Sequence, residues 1–515
     1  MKHKKISLLL GVFALLAVIA ASNCTGKKKE PGTGGPTASS GVKPVSLPSI
    51  VPGFKFPEDA TVINGWINDP KFAPTNYDSA SIYKHAWGIW AGLTSPTLQE
   101  YAGDKLRVYE TWMGLNEIRD LVIDSNTTGG CAGTEAKRKY GRAPLTRPSQ
   151  FGHALKFSKV SRAQAGSFLA ATAGKTKPAT PLFQDFVNQW VTVSYDPNAA
   201  CFATSNQIFR TSVINKYYNA GGLGAIPQFP NSSITIKPTY LVYDTTTSLF
   251  RMPVWITAPQ PANANFFGAA NSFVFIDKNN TQPAGKVAVP VDSTASDPTK
   301  IAAATINLSE FISMKVDQQM ATYMNQQDSI QGLNVASGGQ AVAGQIAVLV
   351  GMHVTTKEIT NWTWQSYYWT PNRDNPGSPS SPLAASLRPR EIIGAAANYA
   401  CVAAYVMLTP NNAPNASANG SMFGYNPYLE GGFGPGVFTF ANTYNKSYQY
   451  GVQTNCMSCH ALAIADTTTN VGRYTTDQTI NLQDTLYFGK QVSLDFAWSI
   501  QTALVYDQTP YWIKK

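Results

Sequence analysis

A chain of 515 residues is long enough for roughly two to four average domains and for a large buried core. Apolar residues at 43% against charged residues at 14%, with Tyr 24, Phe 24 and Trp 11, exclude a disordered chain and describe an aromatic-rich folded body. The formal charge of +10 does not mark a nucleic-acid binder. Lys2, Lys4 and Lys5 hold three of those charges, and Lys27, Lys28, Lys29 and Lys43 less Glu30 hold three more; about +4 remains, with no basic stripe interleaved with aromatics.

The chain begins MKHKKISLLLGVFALLAVIAASNC: a basic start, an apolar run from Ile6 to Ala21, small residues and a cysteine. This reads as a secretion signal. It resembles a bacterial lipoprotein signal spanning residues 1–23, in which cleavage leaves Cys24 as a lipid-modified N-terminus; Asn23 departs from the small residue usual before that cysteine. An uncleaved membrane anchor and an ordinary cleaved signal are the alternatives, although the run is short for a span. Each places the body outside the cytoplasm, and Thr25 after the cysteine favours the outer membrane. Residues 24–48, rich in Gly, Pro, Ser and Lys, read as a flexible, lipid-anchored tether.

The body, residues 49–430, is expected to be α+β. From about 79 to 220 it is mainly helical, with apolar residues three or four apart in SASIYKHAWGIWAGLT, RVYETWMGLNEIRDLVI, TPLFQDFVNQWVTV and AACFATSNQIFRTSVINKYY. From about 233 to 370 the period shortens toward two in SITIKPTYLVYD, SLFRMPVWITAP, SFVFID, KVAVPV, GQIAVLVGMHVTT and WTWQSYYWTP, which read as strands. The helix LSEFISMKVDQQMATYMNQ interrupts them, and REIIGAAANYACVAAYVML reads as a helix after them. Residues 431–515 are expected to be a helical and loop segment, entered through the Gly-rich YLEGGFGPGVFTF.

That last segment carries Cys456-Met-Ser-Cys459-His460. In Cys-x-x-Cys-His, two thiols can add to the two vinyl groups of haem while the adjacent imidazole becomes the proximal iron ligand. A short helix through Ala461-Leu462-Ala463 would place all three on one turn. A structural disulfide, a redox dithiol and half a zinc site are the competing readings. Zinc lacks a second ligand pair at suitable spacing, and a redox pair would open a helix after a strand. One covalent haem c is therefore expected. Of the remaining cysteines, Cys131 and Cys201 are the expected disulfide and Cys401, in an apolar run, a buried thiol.

No Met or His follows His460, so a sixth protein ligand must come from upstream or the iron has an open position. His353 in VGMHVTTKE is the first candidate, since a strand can present it with Met352 turned to the other side. His85 in the aromatic YKHAWGIW is the second; His153, Met352, Met407 and Met422 follow. The C-terminal segment resembles a mono-haem c-type cytochrome, and the whole is similar to large exported cytochrome c family proteins whose role is not established. The resemblance implies covalent haem at Cys456, Cys459 and His460, with iron held by His460, and it implies no substrate.

Three functions compete. The first is electron transfer with a redox partner protein at the cell envelope, facing the periplasm or the surface. The second is a haem oxidoreductase, peroxidase-like, with an open iron position and pocket groups such as Arg107, Glu110 or Arg373. The third is a ligand-binding or sensory module that uses WTWQSYYW, with Trp362 and Trp364, as a stacking platform. No nucleotide loop, dinucleotide fingerprint, nucleophile elbow or H-E-x-x-H pair is present.

Overall fold

The computed structural model describes residues 41–73, 76–124, 138–148, 183–185, 188–256, 272–292, 297–330, 340–407, 424–430, 456–465 and 480–513. The fold is α+β. Its centre is an eight-stranded antiparallel sheet made of β1 (Met113–Gly114), β2 (Asn188–Val191), β3 (Ser194–Tyr195), β4 (Ile234–Tyr243), β5 (Ser313–Lys315), β6 (Ile346–Thr356), β7 (Thr363–Trp369) and β8 (Tyr399–Ala404). The order is β8-β7-β6-β4-β3-β1, with β5 also pairing β6 and β2 also pairing β4. Leu349 lies opposite Tyr240 but Gly351 lies opposite Thr239, so Val350 is an extra residue in β6.

One face of this sheet is closed by the helix Ser79–Thr94. Asp78 caps it by accepting the Ala80 and Ser81 amides, and Ile82 and every residue from His85 to Thr94 are buried. A helix apolar on all sides must be covered on all sides. Trp90 stacks on Tyr367 of β7 at 4.4 Å between ring centroids and leans on Tyr399 of β8 at 5.1 Å. The indole N–H groups of Trp87 and Trp90 donate to the carbonyls of Ala384 and Ala396, which lets these large rings sit inside at little polar cost.

The other face carries a row of polar side chains in register. Thr235, Thr355 and Trp364 lie side by side across β4, β6 and β7, followed by Lys237, His353 and Ser366, then Thr239, Gly351 and Tyr368. Residues 424–430 lie over this face, where the Asn426 side chain donates to the Ser366 hydroxyl and the Tyr367 carbonyl. A five-stranded sheet, built around Leu249–Val254 and Ser272–Asp277, lies beside the first. Met457, Leu462, Ile464 and Leu494 belong to the same apolar cluster as Leu349 and Tyr367, so the C-terminal segment and the body share one core.

Several expected elements take a different form. TPLFQDFVNQWVTV contributes short strands at Gln184–Asp185 and Asn188–Val191 instead of a helix. REIIGAAANYACVAAYVML forms a 3-10 turn, Gly394–Asn398, and then strand β8. Tyr399–Ala404 is buried on both faces, and a doubly buried strand shows the unbroken apolar run of a buried helix. KVAVPV is strand only at Val291–Asp292. The tether gives way to packed chain earlier than Ser49: Val42 is buried, the Val45 amide donates to Thr111 Oγ1 and the Val45 carbonyl accepts the Trp112 indole N–H.

Gly351 is required because a Cβ there would come within 2.6 Å of the Asn426 amide. That amide cannot move freely, since Nδ2 makes two bonds of 2.9 Å and Oδ1 accepts the Tyr428 N–H at 3.0 Å. Gly351→Ala is expected to lower stability by about 1–3 kcal/mol. The urea unfolding midpoint should fall with an unchanged slope, and an unchanged midpoint would disprove the tight seat.

Candidate functional site

The helix Cys456–Ala461 places Cys456, Cys459 and His460 on little more than one turn, as the sequence spacing requires. Cys456 and Cys459 are both free thiols, so they are not joined as a disulfide. Cys456 lies 3.5 Å from the Gly424 carbonyl, to which its S–H donates. Burial, followed by the nearby Glu430 and Cys459, pushes the Cys456 thiol well above its ordinary pKa and keeps it protonated.

His460 is held from two sides. Its Nδ1 lies 2.9 Å from the Phe496 carbonyl oxygen. A carbonyl only accepts, so Nδ1 carries the proton and Nε2 keeps its lone pair, the arrangement that fixes ring orientation in metal-ligating histidines. The ring rests on the indole of Trp364, 4.2 Å between centroids at 42°. Burial pushes the imidazole down to about 3 against the pull of the Phe496 carbonyl, with His353 and Lys237 adding to the fall, so the ring is neutral and able to ligate. The Trp498 indole N–H donates to the Cys459 carbonyl at 3.3 Å and ties down the end of the turn.

The Phe496 carbonyl owes its aim to two consecutive left-handed residues, Asp495 at φ 49° and Phe496 at φ 66°. A bulky side chain seldom adopts that conformation unless its surroundings impose it. Here Asp495 Oδ1 meets the Lys357 ammonium at 2.6 Å and Oδ2 accepts the Phe229 amide at 3.0 Å. Both charged groups are buried, and burial outweighs their attraction: the Asp495 carboxyl is pushed up and the Lys357 ammonium down.

His353 stands on the same sheet face as Trp364, close enough to His460 to act on its charge. Both of its nitrogens are engaged. Nε2 lies 2.7 Å from Glu430 Oε1, to which it donates, and Nδ1 lies 3.0 Å from the Ser366 hydroxyl. Met352 turns to the other side and is fully buried, as strand alternation requires.

His85 lies across the sheet from His460. It sits on the helix whose Trp90 packs on Tyr367, and Tyr367 and Trp364 point to opposite faces of β7. Its Nδ1 bonds Tyr405 Oη at 2.7 Å and its Nε2 bonds Glu358 Oε1 at 3.2 Å, inside a closed network with Gln365, Thr363 and Thr356. It has no free nitrogen, and the sheet separates it from His460.

Met407 accepts the Ile480 amide on its sulfur at 3.3 Å and lines an open pocket of about 240 Å³ with Tyr405 and Met457. Cys24, Cys131, His153 and Met422 lie outside the described residues. Cys201 is disulfide-bonded, and its partner also lies outside them. Cys401 is a buried free thiol.

The proposed pocket groups serve the fold. Glu110 pairs with Arg142 at 3.2 Å and with Arg107 at 3.6 Å, and Arg373 donates to Asn398 at 2.9 Å. Trp362 and Trp364 are 2% and 4% exposed, so neither offers a surface platform. Lys237 and Glu430 belong to the site although the motif pointed to neither. The signal for Lys237 was the alternation in SITIKPTY, which puts a lysine on the face away from Ile234 and Ile236.

No protein-family model, curated protein or solved structure matches this chain. Among the described residues no group of three or more His, Cys, Asp and Glu side chains forms a metal cage. The donor set at Cys456, Cys459 and His460 suits a group attached through thiols and ligated by one imidazole.

Asp495→Ala would leave the Lys357 ammonium buried without its partner, at an expected cost of about 3–5 kcal/mol. The double variant Lys357→Met, Asp495→Leu should unfold at higher denaturant than Asp495→Ala alone. Equal midpoints for the single and double variants would show that the charge pair does not hold the turn.

Proposed function

We propose that this chain is a covalent c-type haem protein of the cell envelope, exported by its N-terminal signal, held at the membrane through lipid on Cys24, and passing electrons through one haem to a redox partner protein. The observation that carries the reading is the pairing of two free thiols with a neutral imidazole whose Nδ1 is committed and whose Nε2 is not, all on the helix Cys456–Ala461. When bound, the haem supplies a one-electron couple at its iron. Cys456 and Cys459 would hold it by thioether bonds, and His460 would ligate the iron while the Phe496 carbonyl and Trp364 keep the ring in place. The rigid turn at Asp495 and Phe496 suits a carrier, which changes oxidation state with little rearrangement of its ligands.

One observation favours a second reading, a haem enzyme with an open iron position. His353 has both nitrogens engaged and His85 lies across the sheet, so neither histidine singled out in the sequence is poised as a sixth ligand. A low-spin oxidised spectrum that ignores azide and cyanide would support the carrier; high-spin iron that binds them would support the enzyme.

The direct experiment is expression of the full chain alongside bacterial haem-attachment machinery. The wild type is expected to retain a haem-staining band on a denaturing gel, Cys456→Ala with Cys459→Ala to lose it, and His460→Ala to change the visible spectrum. A folded, exported wild-type chain without covalent haem would overturn the proposal.

A further inference from the structure

The central sheet ends beside an open pocket of about 240 Å³, where the loop entering β7 and the chain leaving β8 meet the helices Ala60–Ile67 and Cys456–Ala461. Its floor is apolar and enclosed: Ile359, Tyr405, Met407, Met457 and Ile480 are each 7% exposed or less. Its rim is polar. Asn64 and Thr360 are exposed, Asn361 is half-buried, and none of these three side chains makes a hydrogen bond among the described residues.

The floor is preformed, as a ligand site requires. The Met407 sulfur accepts the Ile480 amide at 3.3 Å, which joins two of the floor residues to each other. The Tyr405 hydroxyl is held by His85 Nδ1 at 2.7 Å and by Gln365 Nε2 at 2.8 Å, both of them buried. With that hydroxyl bonded inward, the hydrogen-bonding groups left to meet a ligand lie at the rim.

Size and chemistry narrow the occupant. An apolar cavity of about 150 Å³ holds benzene, so this pocket has room for two fused rings. The thioethers of Met407 and Met457 favour an aromatic body over an aliphatic one, because sulfur makes favourable contacts with aromatic rings. Amide and hydroxyl groups at the rim call for an oxygen at one end of the molecule. Among the described residues no charged side chain lines the pocket, so the occupant is neutral.

We propose that this pocket binds a neutral aromatic alcohol or ketone of one or two fused rings, with its rings against Met407 and Met457 and its oxygen at the rim beside Asn64 and Asn361. Met457 lies between Cys456 and Cys459, so the floor of the pocket is also a wall of the motif turn. The site is nevertheless separate from the motif thiols and His460, and the inference stands without the haem reading.

The test titrates the full exported chain with naphthol, with naphthalene, which lacks the oxygen, and with decahydronaphthol, which keeps the oxygen and loses the aromatic rings. Calorimetry should show one naphthol bound per chain with a Kd of about 100 µM or tighter, and each of the other two binding several-fold more weakly. Asn64→Trp and Thr360→Trp place a large ring at exposed rim positions; either should weaken naphthol binding about tenfold, with circular dichroism checking the fold. Absence of naphthol binding to the wild type would overturn the proposal, as would binding that neither rim variant diminishes. Naphthalene bound as tightly as naphthol would overturn the oxygen assignment, and decahydronaphthol bound as tightly would overturn the aromatic one.

Discussion

The helix-covered face of the central sheet gives its polar side chains no water to bond, so they turn to partners inside the protein, Gln365 Oε1 being an exception. The polar groups on both faces of the sheet are organised largely by hydrogen bonds to one another. On the helix side it yields the closed network of His85, Tyr405, Gln365, Thr363, Thr356 and Glu358, with the Glu58 amide donating to Glu358 from outside the sheet. On the motif side it yields a chain from Asn426 through Ser366 and His353 to Glu430. The two histidines of the sheet region are thereby consumed as structural donors and acceptors.

The motif helix obeys a second requirement, that one imidazole be held in a single tautomer and a single orientation. The structure meets it with backbone. The Phe496 carbonyl is fixed by a left-handed turn, the turn by Asp495, and Asp495 by Lys357 and the Phe229 amide. This support extends 138 residues back along the chain to Lys357 in the segment after β6. Local stability and site geometry are therefore coupled: whatever loosens the 495–496 turn also frees the His460 ring.

Parts of this arrangement were legible in the sequence. The helix Ser79–Thr94 announced itself by its period, and the strands Ile234–Tyr243 and Ile346–Thr356 by alternation. Alternation also separated His353 from Met352. Strand β8 was not legible as a strand, because Tyr399–Ala404 is covered on both faces and a continuous apolar run carries no period. At the site, Cys456, Cys459 and His460 are near neighbours in the chain, so spacing alone revealed them. Lys237, Trp364 and Phe496 reach the same place from distant strands and turns, and only strand register and chain folding bring them together. His353 and His85 looked alike as scarce histidines; which face of the sheet each occupies is a tertiary fact that no local pattern encodes.

The extra residue Val350 in β6 has a consequence for how this chain tolerates changes in length. Ahead of it, Leu349 shares a face with Tyr240; beyond it, Gly351, His353 and Thr355 share a face with Thr239, Lys237 and Thr235. The bulge thus works as a phase shift in the strand. Exchanging the side chain at 350 leaves that phase intact. Deleting the position, or inserting one residue beside it, would exchange the two faces of everything downstream, sending His353 toward the aromatic helix and Met352 toward the motif. A gap of one residue in this strand would then be a larger change to the site than replacement of most of the residues that form it.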